Sequence, residues 1–91
     1  MRIRHDELSW KAVDDEVVAL DLATGTYFSA NLSGSRLWER LSEGCDRADL
    51  IVTLVTEYAV SEEQAERDVD AFLDELQRHA LLEPTAVRAG A

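Results

Sequence analysis

Apolar and polar residues alternate along the first third of the chain, with the period of two that is typical of β-strands. The alternation is weak over residues 8–13 and stronger over residues 17–22, where Val18, Leu20 and Leu22 share one face. These two segments, separated by a short polar turn, predict two neighbouring strands.

A third strand is predicted directly after a tight turn. Thr24 and Gly25 form this turn, because glycine readily takes the positive φ that short hairpins need. Segments 17–22 and 26–32 should therefore pair antiparallel, and the three strands should form a meander. One face of the third strand carries Thr26, Phe28, Ala30 and Leu32, and the other carries Tyr27, Ser29 and Asn31.

The apolar period changes to that of helices from residue 33 onward. The predicted helices are 34–42 with Ser33 as N-cap and Gly44 just past the end, a second from Asp46 or Arg47 to Tyr58, and a third that opens at a Ser61 capping box and fades at 81–82. The apolar stripe of the third helix is Ala65, Val69, Phe72, Leu73, Leu76 and Ala80.

Three strands followed by three helices predict an α+β fold of winged-helix-like architecture, with the helices packed on one side of a small sheet. The chain is short enough to form one domain over residues 1–91. We expect its core to lie at about 8–83 and its tail, 84–91, to be frayed.

The composition makes the chain strongly acidic. Nineteen acidic and nine basic residues give a formal net charge of −10. This charge either serves solubility alone or favours a basic partner, and it disfavours nucleic acid and anionic membrane surfaces. No segment reaches transmembrane length, and the single cysteine cannot form an internal disulfide, so we expect a soluble cytoplasmic protein without a membrane partner.

Few side chains have the pattern that catalysis or metal binding requires. His5 and His79 are far apart in sequence and belong to no metal-binding motif, and the sequence places no base beside Cys45. The many carboxylates scatter over predicted helix surfaces, in a domain too small for a large substrate pocket. We therefore expect no enzyme activity, no metal and no other cofactor.

A sheet beside three helices also occurs in winged-helix proteins, which place a helix in the DNA major groove. Residues 61–83 carry eight acidic side chains against Arg67 and Arg78, so the third helix should be repelled by phosphates. A nucleic-acid-binding regulator therefore stays as an alternative from another class of function.

The last strand of a meander has one unpaired edge. Segment 26–32 has no proline and no charge that would block pairing at this edge. An extended peptide can add to such an edge as a further strand, which makes a peptide-binding module the leading hypothesis. The alternative is that a helix or the tail of the chain covers the edge.

Residues 18–41 resemble the PqqD-like proteins, which are the RiPP recognition elements. The shared pattern is a hydrophobic strand, a glycine turn, the aromatic pair Tyr27 and Phe28, an Asn-Leu pair at 31–32, and a helix with Leu-Trp at 37–38. Later matching positions are 57–61, 68–69, 72–73, Leu76 and 81–82, so the resemblance covers about residues 10–83.

The resemblance implies a protein that binds the leader segment of a ribosomally made precursor peptide, as a strand added to the third strand and lying against the third helix. A free-standing acidic chain with Gly-x-Tyr-Phe and Asn-Leu is most similar to the recognition proteins of lasso-peptide biosynthesis. Their partner is a separate leader peptidase of the transglutaminase-like cysteine protease type, and the matured core passes to a cyclase. The alternatives are a PqqD-type peptide chaperone for a radical-SAM enzyme in pyrroloquinoline quinone synthesis, and a small subunit that only stabilises an enzyme.

The predicted binding site combines the third strand with one flank of the third helix. Backbone groups of 27–31 would pair with the leader, and a helical wheel places Asp68, Ala71 and Glu75 on the groove wall. Small Ala71 leaves room for a peptide side chain, and the two carboxylates either meet lysines of a basic leader or are simply solvated. The candidate peptide-binding residues are Leu20, Tyr27, Phe28, Ser29, Ala30, Asn31, Leu32, Asp68, Val69, Ala71, Phe72, Glu75 and Leu76.

Overall fold

Three strands precede three helices, in the order that the hydrophobic pattern predicts. The computed structural model describes residues 1–83, so the predicted tail at 84–91 lies outside the described residues. The elements are β1 (Leu8–Val13), β2 (Glu16–Asp21), β3 (Tyr27–Asn31), α1 (Ser33–Glu43), α2 (Arg47–Tyr58) and α3 (Glu62–Arg78). The predicted α+β class is confirmed.

The strands form one antiparallel sheet in the order β1-β2-β3, so β2 is central and β1 and β3 are both edge strands. Ala19 in β2 lies opposite Trp10 of β1 and Phe28 of β3. Gly25 takes a φ of 78° in the turn between β2 and β3, as the predicted hairpin requires. The predicted meander is therefore confirmed.

The helices cover the inner face of the sheet, which carries Val17 and Ala19. Both side chains are almost fully buried, and they belong to the same core as Trp38 of α1. The indole of Trp38 is stacked on Phe28, with 5.6 Å between ring centroids, and meets Trp10 edge-on at 5.7 Å. Trp38 is thus the central side chain between α1 and the sheet.

The most apolar row of β2 faces away from the helices. Val18, Leu20 and Leu22 do share one face, but Val18 and Leu20 are half-buried and Leu22 is exposed. The inner position opposite the helices is instead taken by the small residue Ala19, in the core that holds the large indole of Trp38. Periodicity alone does not distinguish the two faces, because both faces of β2 carry apolar side chains.

The first helix begins without a side-chain cap, so the predicted capping role of Ser33 is wrong. Ser33 is the first residue of α1, and Leu32 occupies the N-cap position with a φ of 51°. The N–H of Leu32 donates to the carbonyl of Asp15 at 2.9 Å, so the chain reverses directly from β3 into α1. At the other end, Gly44 takes a φ of 92° and ends the helix as predicted.

The other two helices begin with side-chain caps, of which the sequence predicts the one at Ser61. Asp46 accepts a hydrogen bond from the N–H of Asp49 at 2.9 Å, and the Asp49 carboxylate accepts one from the N–H of Asp46 at 3.3 Å. At the start of α3, the hydroxyl of Ser61 accepts a hydrogen bond from the N–H of Gln64 at 3.1 Å. These contacts satisfy backbone donors that would otherwise lack partners.

The three helices pack over the inner face around one core. Its largest buried side chains are Trp38, Ile3, Leu37, Leu41, Leu50, Leu54, Leu76, Val17 and Val69. Ala80 was predicted to belong to the apolar stripe of α3, and this is wrong because the helix ends at Arg78. The chain turns with a φ of 55° at Ala80, and the next residue, Leu81, is buried instead.

The segment before β1 also enters the core. Ile3 is buried and forms an isolated antiparallel bridge with Leu82. The N–H of Ile3 donates to the carbonyl of Leu41 at 3.0 Å, and the N–H of Arg4 donates to that of Leu81 at 2.8 Å. The N-terminal residues therefore join the end of α1 to the chain that follows α3.

Candidate peptide-binding site

The hydrogen bonds at the two ends of β3 fix which of its backbone groups face β2. The carbonyl of Thr26 accepts from the N–H of Asp21 at 2.9 Å, and the N–H of Leu32 donates to the carbonyl of Asp15 at 2.9 Å. Such bonds recur at every second residue of an antiparallel pair. The even-numbered residues of β3 therefore direct their backbone groups toward β2.

The odd-numbered residues of β3, which are Tyr27, Ser29 and Asn31, direct their N–H and C=O groups away from the sheet. Within residues 1–83, no strand pairs with this edge and no backbone hydrogen bond reaches these three residues. Their side chains are exposed as well. The edge therefore offers a regular row of donors and acceptors to an extended chain.

Aromatic rings line the inner side of this edge. Phe28 lies between three rings, with centroid distances of 5.6 Å to Trp38, 6.4 Å to Phe72 and 5.7 Å to His79. Because Phe72 belongs to α3 and His79 caps its C-terminal end, α3 lies beside β3. We call the surface between these two elements, bordered by Phe28, Ala30, Phe72 and His79, the groove.

The start of α1 approaches both walls of the groove closely. A Cβ atom at Gly34 would lie 3.3 Å from the Cβ of Ala30 and 3.5 Å from the ring of Phe72. A larger side chain at Gly34 would push one of these walls outward. The absence of a side chain here therefore allows β3, α1 and α3 to meet.

The flank of α3 beside Phe72 carries the predicted acidic wall. Asp68 and Ala71 are exposed, and the side chain of Glu75 is 47% exposed. On the helix surface, Asp68 and Glu75 lie four residues before and three residues after the position that contacts Phe28, which places them along the groove. Ala71 lies between these two carboxylates, and its small side chain leaves space there for a side chain of a bound peptide.

The two carboxylates of this wall differ in their partners. Asp68 accepts a hydrogen bond from the side-chain amide of Gln64 at 2.8 Å, and no cation lies within ion-pair distance of it among residues 1–83. Glu75 lies 3.5 Å from the guanidinium of Arg78 and 3.3 Å from His79. The negative charge of Asp68 is therefore the less compensated of the two.

The opposite flank of α3 is bound to the rest of the fold. Arg47 of α2 donates two hydrogen bonds to Asp70, at 2.7 and 3.0 Å, and this contact lowers the pKa of the Asp70 carboxyl. Asp74 pairs with Arg78 at 2.9 Å. Asp70 thus links α3 to α2, Asp74 pairs within α3, and neither residue faces the groove.

Two features of the described residues concern metal binding and thiol chemistry. Residues 1–83 contain no cluster of three or more His, Cys, Asp or Glu side chains that could hold a metal ion. Burial raises the pKa of the Cys45 thiol, against the opposing charge of Arg40, which keeps it in the less reactive protonated form. A bilayer-spanning helix, long and apolar enough for that role, is likewise absent from residues 1–83.

The outer face of the sheet forms a second surface. Val18 and Leu20 lie at its centre, and Tyr27, which is 70% exposed, lies opposite Leu20 on β3. A shallow depression of about 300 Å³ is lined by Ser9, Trp10, Lys11, Val18 and Leu20. Because the described helices pack on the inner face, this apolar centre remains uncovered within residues 1–83.

Comparison with models of protein families identifies the family to which the chain belongs. The family model described as coenzyme PQQ synthesis protein D (PqqD) matches residues 16–82, which run from the start of β2 to four residues beyond α3. This chain belongs to the PqqD family. The predicted resemblance to PqqD-like recognition elements is therefore confirmed. A search of curated proteins gave no match.

Two solved structures of similar chains extend this result. TbiB1, solved in complex with the TbiA(beta) leader peptide, shares 39% identity with this PqqD-family chain, covering 99% of this chain and 100% of TbiB1, with a TM-score of 0.83. A lasso peptide synthetase B1 complexed with a leader peptide shares 32% identity, covering 91% of this chain and 96% of that one, with a TM-score of 0.79. Both similarities confirm the predicted fold.

The structure places the predicted site residues of this PqqD-family chain in three settings. Val69 and Leu76 are fully buried, so they support the groove from the core and offer no surface to a peptide. Leu20 lies on the outer face opposite Tyr27, and Leu32 is exposed beyond the end of β3. The members at the groove are Phe28, Ala30, Asp68, Ala71, Phe72 and Glu75, with the backbone of Tyr27, Ser29 and Asn31 along its edge.

His79 is a groove residue that the sequence analysis missed. The apolar pattern predicts a third helix that fades only at 81–82, whereas the structure makes His79 the C-cap of α3, in contact with Phe28 and Glu75. Seven residues separate His79 from Phe72, which is two helical turns. That spacing was the available signal that both residues face β3.

Proposed function

We propose that this protein binds the leader segment of a ribosomally synthesised precursor peptide, of the lasso-peptide type, as a fourth strand on β3. The observation that carries this proposal is the open β3 edge beside α3, with Phe28 and Phe72 in contact across the groove. The two similar structures, TbiB1 and the lasso peptide synthetase B1, are both complexes with leader peptides.

Backbone pairing would supply affinity, and side-chain pockets would supply specificity. An added strand would exchange hydrogen bonds with the N–H and C=O groups of Tyr27, Ser29 and Asn31. Its side chains would then alternate between the two sides of the sheet. One set would enter the groove beside Phe28 and Phe72, and the other set would lie next to Tyr27 on the outer face.

The acidic wall suggests that the bound leader is basic. Asp68 has no cationic partner among the described residues, and Glu75 lies further along the same flank. A lysine or arginine side chain of the peptide would compensate these charges, in line with the net charge of −10.

Presentation of the leader to other enzymes is the second half of the proposal. A separate leader peptidase would dock on the outer face, where the half-buried side chains of Val18 and Leu20 form an uncovered apolar centre beside the exposed ring of Tyr27. A leader strand on β3 would enlarge this face from three strands to four. The protein itself would perform no catalysis, would need no cofactor and would act in the cytoplasm, and the processed core would pass to a cyclase.

The test is a fluorescence-anisotropy titration with a labelled synthetic leader, taken from the short precursor that this proposal expects in a neighbouring open reading frame. Saturable binding of that leader, with no binding of a scrambled peptide of the same composition, is the expected result. A labelled DNA duplex in the same assay tests the nucleic-acid alternative. We expect no binding of the duplex, because the third helix of the protein is acidic. Absence of saturable leader binding would overturn the proposal.

One observation supports a second candidate, which is a peptide chaperone in pyrroloquinoline quinone synthesis. The family model that matches residues 16–82 is named for that pathway. Identity of 39% and 32% to two proteins complexed with leader peptides, one of them a lasso peptide synthetase, favours the lasso pathway. A radical-SAM enzyme instead of a leader peptidase among the neighbouring genes would reverse this preference.

A further inference from the structure

The groove closes at the end where β3 begins. A cavity of only about 10 Å³ remains there, and it is lined by Ala19, Asp21, Thr26, Tyr27, Phe28, His79 and Leu81. This lining combines the start of β3 with the chain that follows α3. The contacts at this end therefore decide how far apart the two walls of the groove lie.

Asp21 organises the strand wall at this end. Its side chain is 9% exposed and accepts hydrogen bonds from the backbone N–H groups of Ala23 at 3.0 Å and Thr24 at 3.4 Å. Its own N–H donates to the carbonyl of Thr26, and its carbonyl accepts from the N–H of Gly25 at 2.7 Å. Asp21 thus fixes the turn from which β3 starts.

Arg4 joins Asp21 to the helix wall. Its guanidinium lies 3.1 Å from the Asp21 carboxylate, and its backbone N–H donates to the carbonyl of Leu81 at 2.8 Å. Leu81 in turn donates its N–H to the carbonyl of Leu76 in α3 at 2.9 Å. One residue of the N-terminal segment therefore contacts both the β2–β3 turn and the end of α3, which carries His79.

We propose that Arg4 is a positioning residue for the groove. Its guanidinium holds the start of β3 through Asp21, and its backbone N–H holds the end of α3 through Leu81. This inference rests on the proposed peptide binding. Without the guanidinium, the Asp21 carboxylate would be buried without a cation, and the turn would shift toward water. Such a shift would move Phe28 relative to His79 and misalign the edge that pairs with the peptide.

The experiment compares Arg4→Met with wild type in the full chain, using the labelled leader of the neighbouring precursor as the probe. We expect Arg4→Met to bind roughly threefold to tenfold more weakly, the size of effect usual for residues that couple to a site without touching its ligand. Arg4→Lys should retain most of the affinity, because it restores a cation near Asp21. The matched control is Arg47→Met, which breaks the ion pair with Asp70 away from the groove and should leave affinity unchanged.

A second measurement reports position directly and needs no peptide. The imidazole C–H protons of His79 lie close to the ring of Phe28, so their NMR shifts carry a ring-current contribution. Arg4→Met should change these shifts, and Arg47→Met should not. Should Arg4→Met fold poorly, the double variant Arg4→Met with Asp21→Asn removes the unpaired charge and keeps an acceptor for the turn.

The outcomes separate the two proposals. A folded Arg4→Met protein with wild-type affinity and unchanged His79 shifts overturns the positioning role, as does a loss no greater than that of Arg47→Met. If wild type itself fails to bind the leader, the proposed function is wrong, and the His79 shifts alone then decide whether Arg4 positions the groove.

Discussion

The ring of Phe28 on β3 lies 6.4 Å from the ring of Phe72 on α3, at an interplanar angle of 62°. This contact joins the two parts of the predicted site, which are more than forty positions apart in the sequence. A peptide that pairs with β3 must therefore pass directly beside α3. A peptide that pairs with the backbone of β3 would therefore also bring its side chains into contact with α3.

Proline at position 29 should separate peptide binding from folding. The N–H of Ser29 faces away from β2, so Ser29→Pro removes no hydrogen bond of the sheet but removes a donor that an added strand would use. We expect leader affinity to fall by about tenfold or more, with little change in the free energy of unfolding. Anisotropy and urea unfolding of the same samples measure both quantities.

The other edge of the sheet provides the control. Ala12 of β1 has its N–H directed away from β2 in the same way, because β1 is the opposite edge strand. Ala12→Pro should therefore disturb folding about as much as Ser29→Pro and leave leader affinity unchanged. Equal losses of affinity in the two variants would show that the β3 edge is not the pairing site.

The acidic wall predicts a modest, salt-dependent contribution to binding. Replacing Asp68 with Asn and Glu75 with Gln keeps their shapes and removes both charges. Partly exposed ion pairs contribute roughly 0.2 to 1 kcal/mol each, so affinity for a lysine-bearing leader should fall roughly twofold to thirtyfold. Titrations at low and high salt should also show a smaller salt dependence in the variant.

A suitable control for that variant must remove the same charge elsewhere on α3. Asp70 and Asp74 are poor choices, because they pair with Arg47 and Arg78. Glu62→Gln with Glu66→Gln is better matched, since both side chains are exposed, have no ion-pair partner among residues 1–83 and lie on a different flank of the helix. If both pairs of substitutions weaken binding equally, the charge acts as a general field and the wall is misplaced.

The sequence predicted the fold well because most elements carry local signals. The Gly25 turn and the Asp46 and Ser61 caps use residues whose local chemistry specifies a turn or a helix start. The prediction that Ser33 caps the first helix was wrong for a physical reason. The direct reversal from β3 into α1 depends on a tertiary bond between Leu32 and Asp15, which no local pattern encodes.

The site was harder to predict than the fold, because it depends on which faces meet. Val69 and Leu76 belong to the stripe of α3, and the helical wheel could not tell buried positions from those that open to the groove. Leu20 lies on a strand with two apolar faces, so alternation did not decide its side. Arg4 precedes every predicted element, and its contact with Asp21 arises only in the folded chain.

The outer face should matter for processing and not for leader affinity. Leu20→Asn places a polar group at the centre of that face without touching the groove. We expect unchanged leader binding but leader cleavage by the peptidase slowed roughly tenfold or more, as for a central interface residue. The control is Val52→Asn on α2, another exposed apolar position. With this variant the peptidase should cleave the leader at the wild-type rate. Unchanged cleavage in Leu20→Asn would exclude this face as the docking surface.

Acid should weaken the fold through Asp21. Burial by itself raises the pKa of this carboxyl, but the ion pair with the Arg4 guanidinium and the hydrogen bonds from the N–H groups of Ala23 and Thr24 together outweigh burial and leave the pKa lowered. The group therefore stabilises the folded state fully above its unfolded pKa of about 4, and this contribution disappears as the pH falls through the folded value.

The measurement is urea unfolding of wild type and Asp21→Asn at a series of pH values from neutral to about pH 3. The difference in unfolding free energy between the two proteins should be constant near neutral pH and should shrink as the solution becomes acidic. In an Arg4→Met background the same comparison should lose most of its pH dependence, because the guanidinium is the chief group that holds this pKa down. A difference that widens toward acid would mean that Asp21 gains no stability from ionisation, and that its contact with Arg4 does not secure the start of β3.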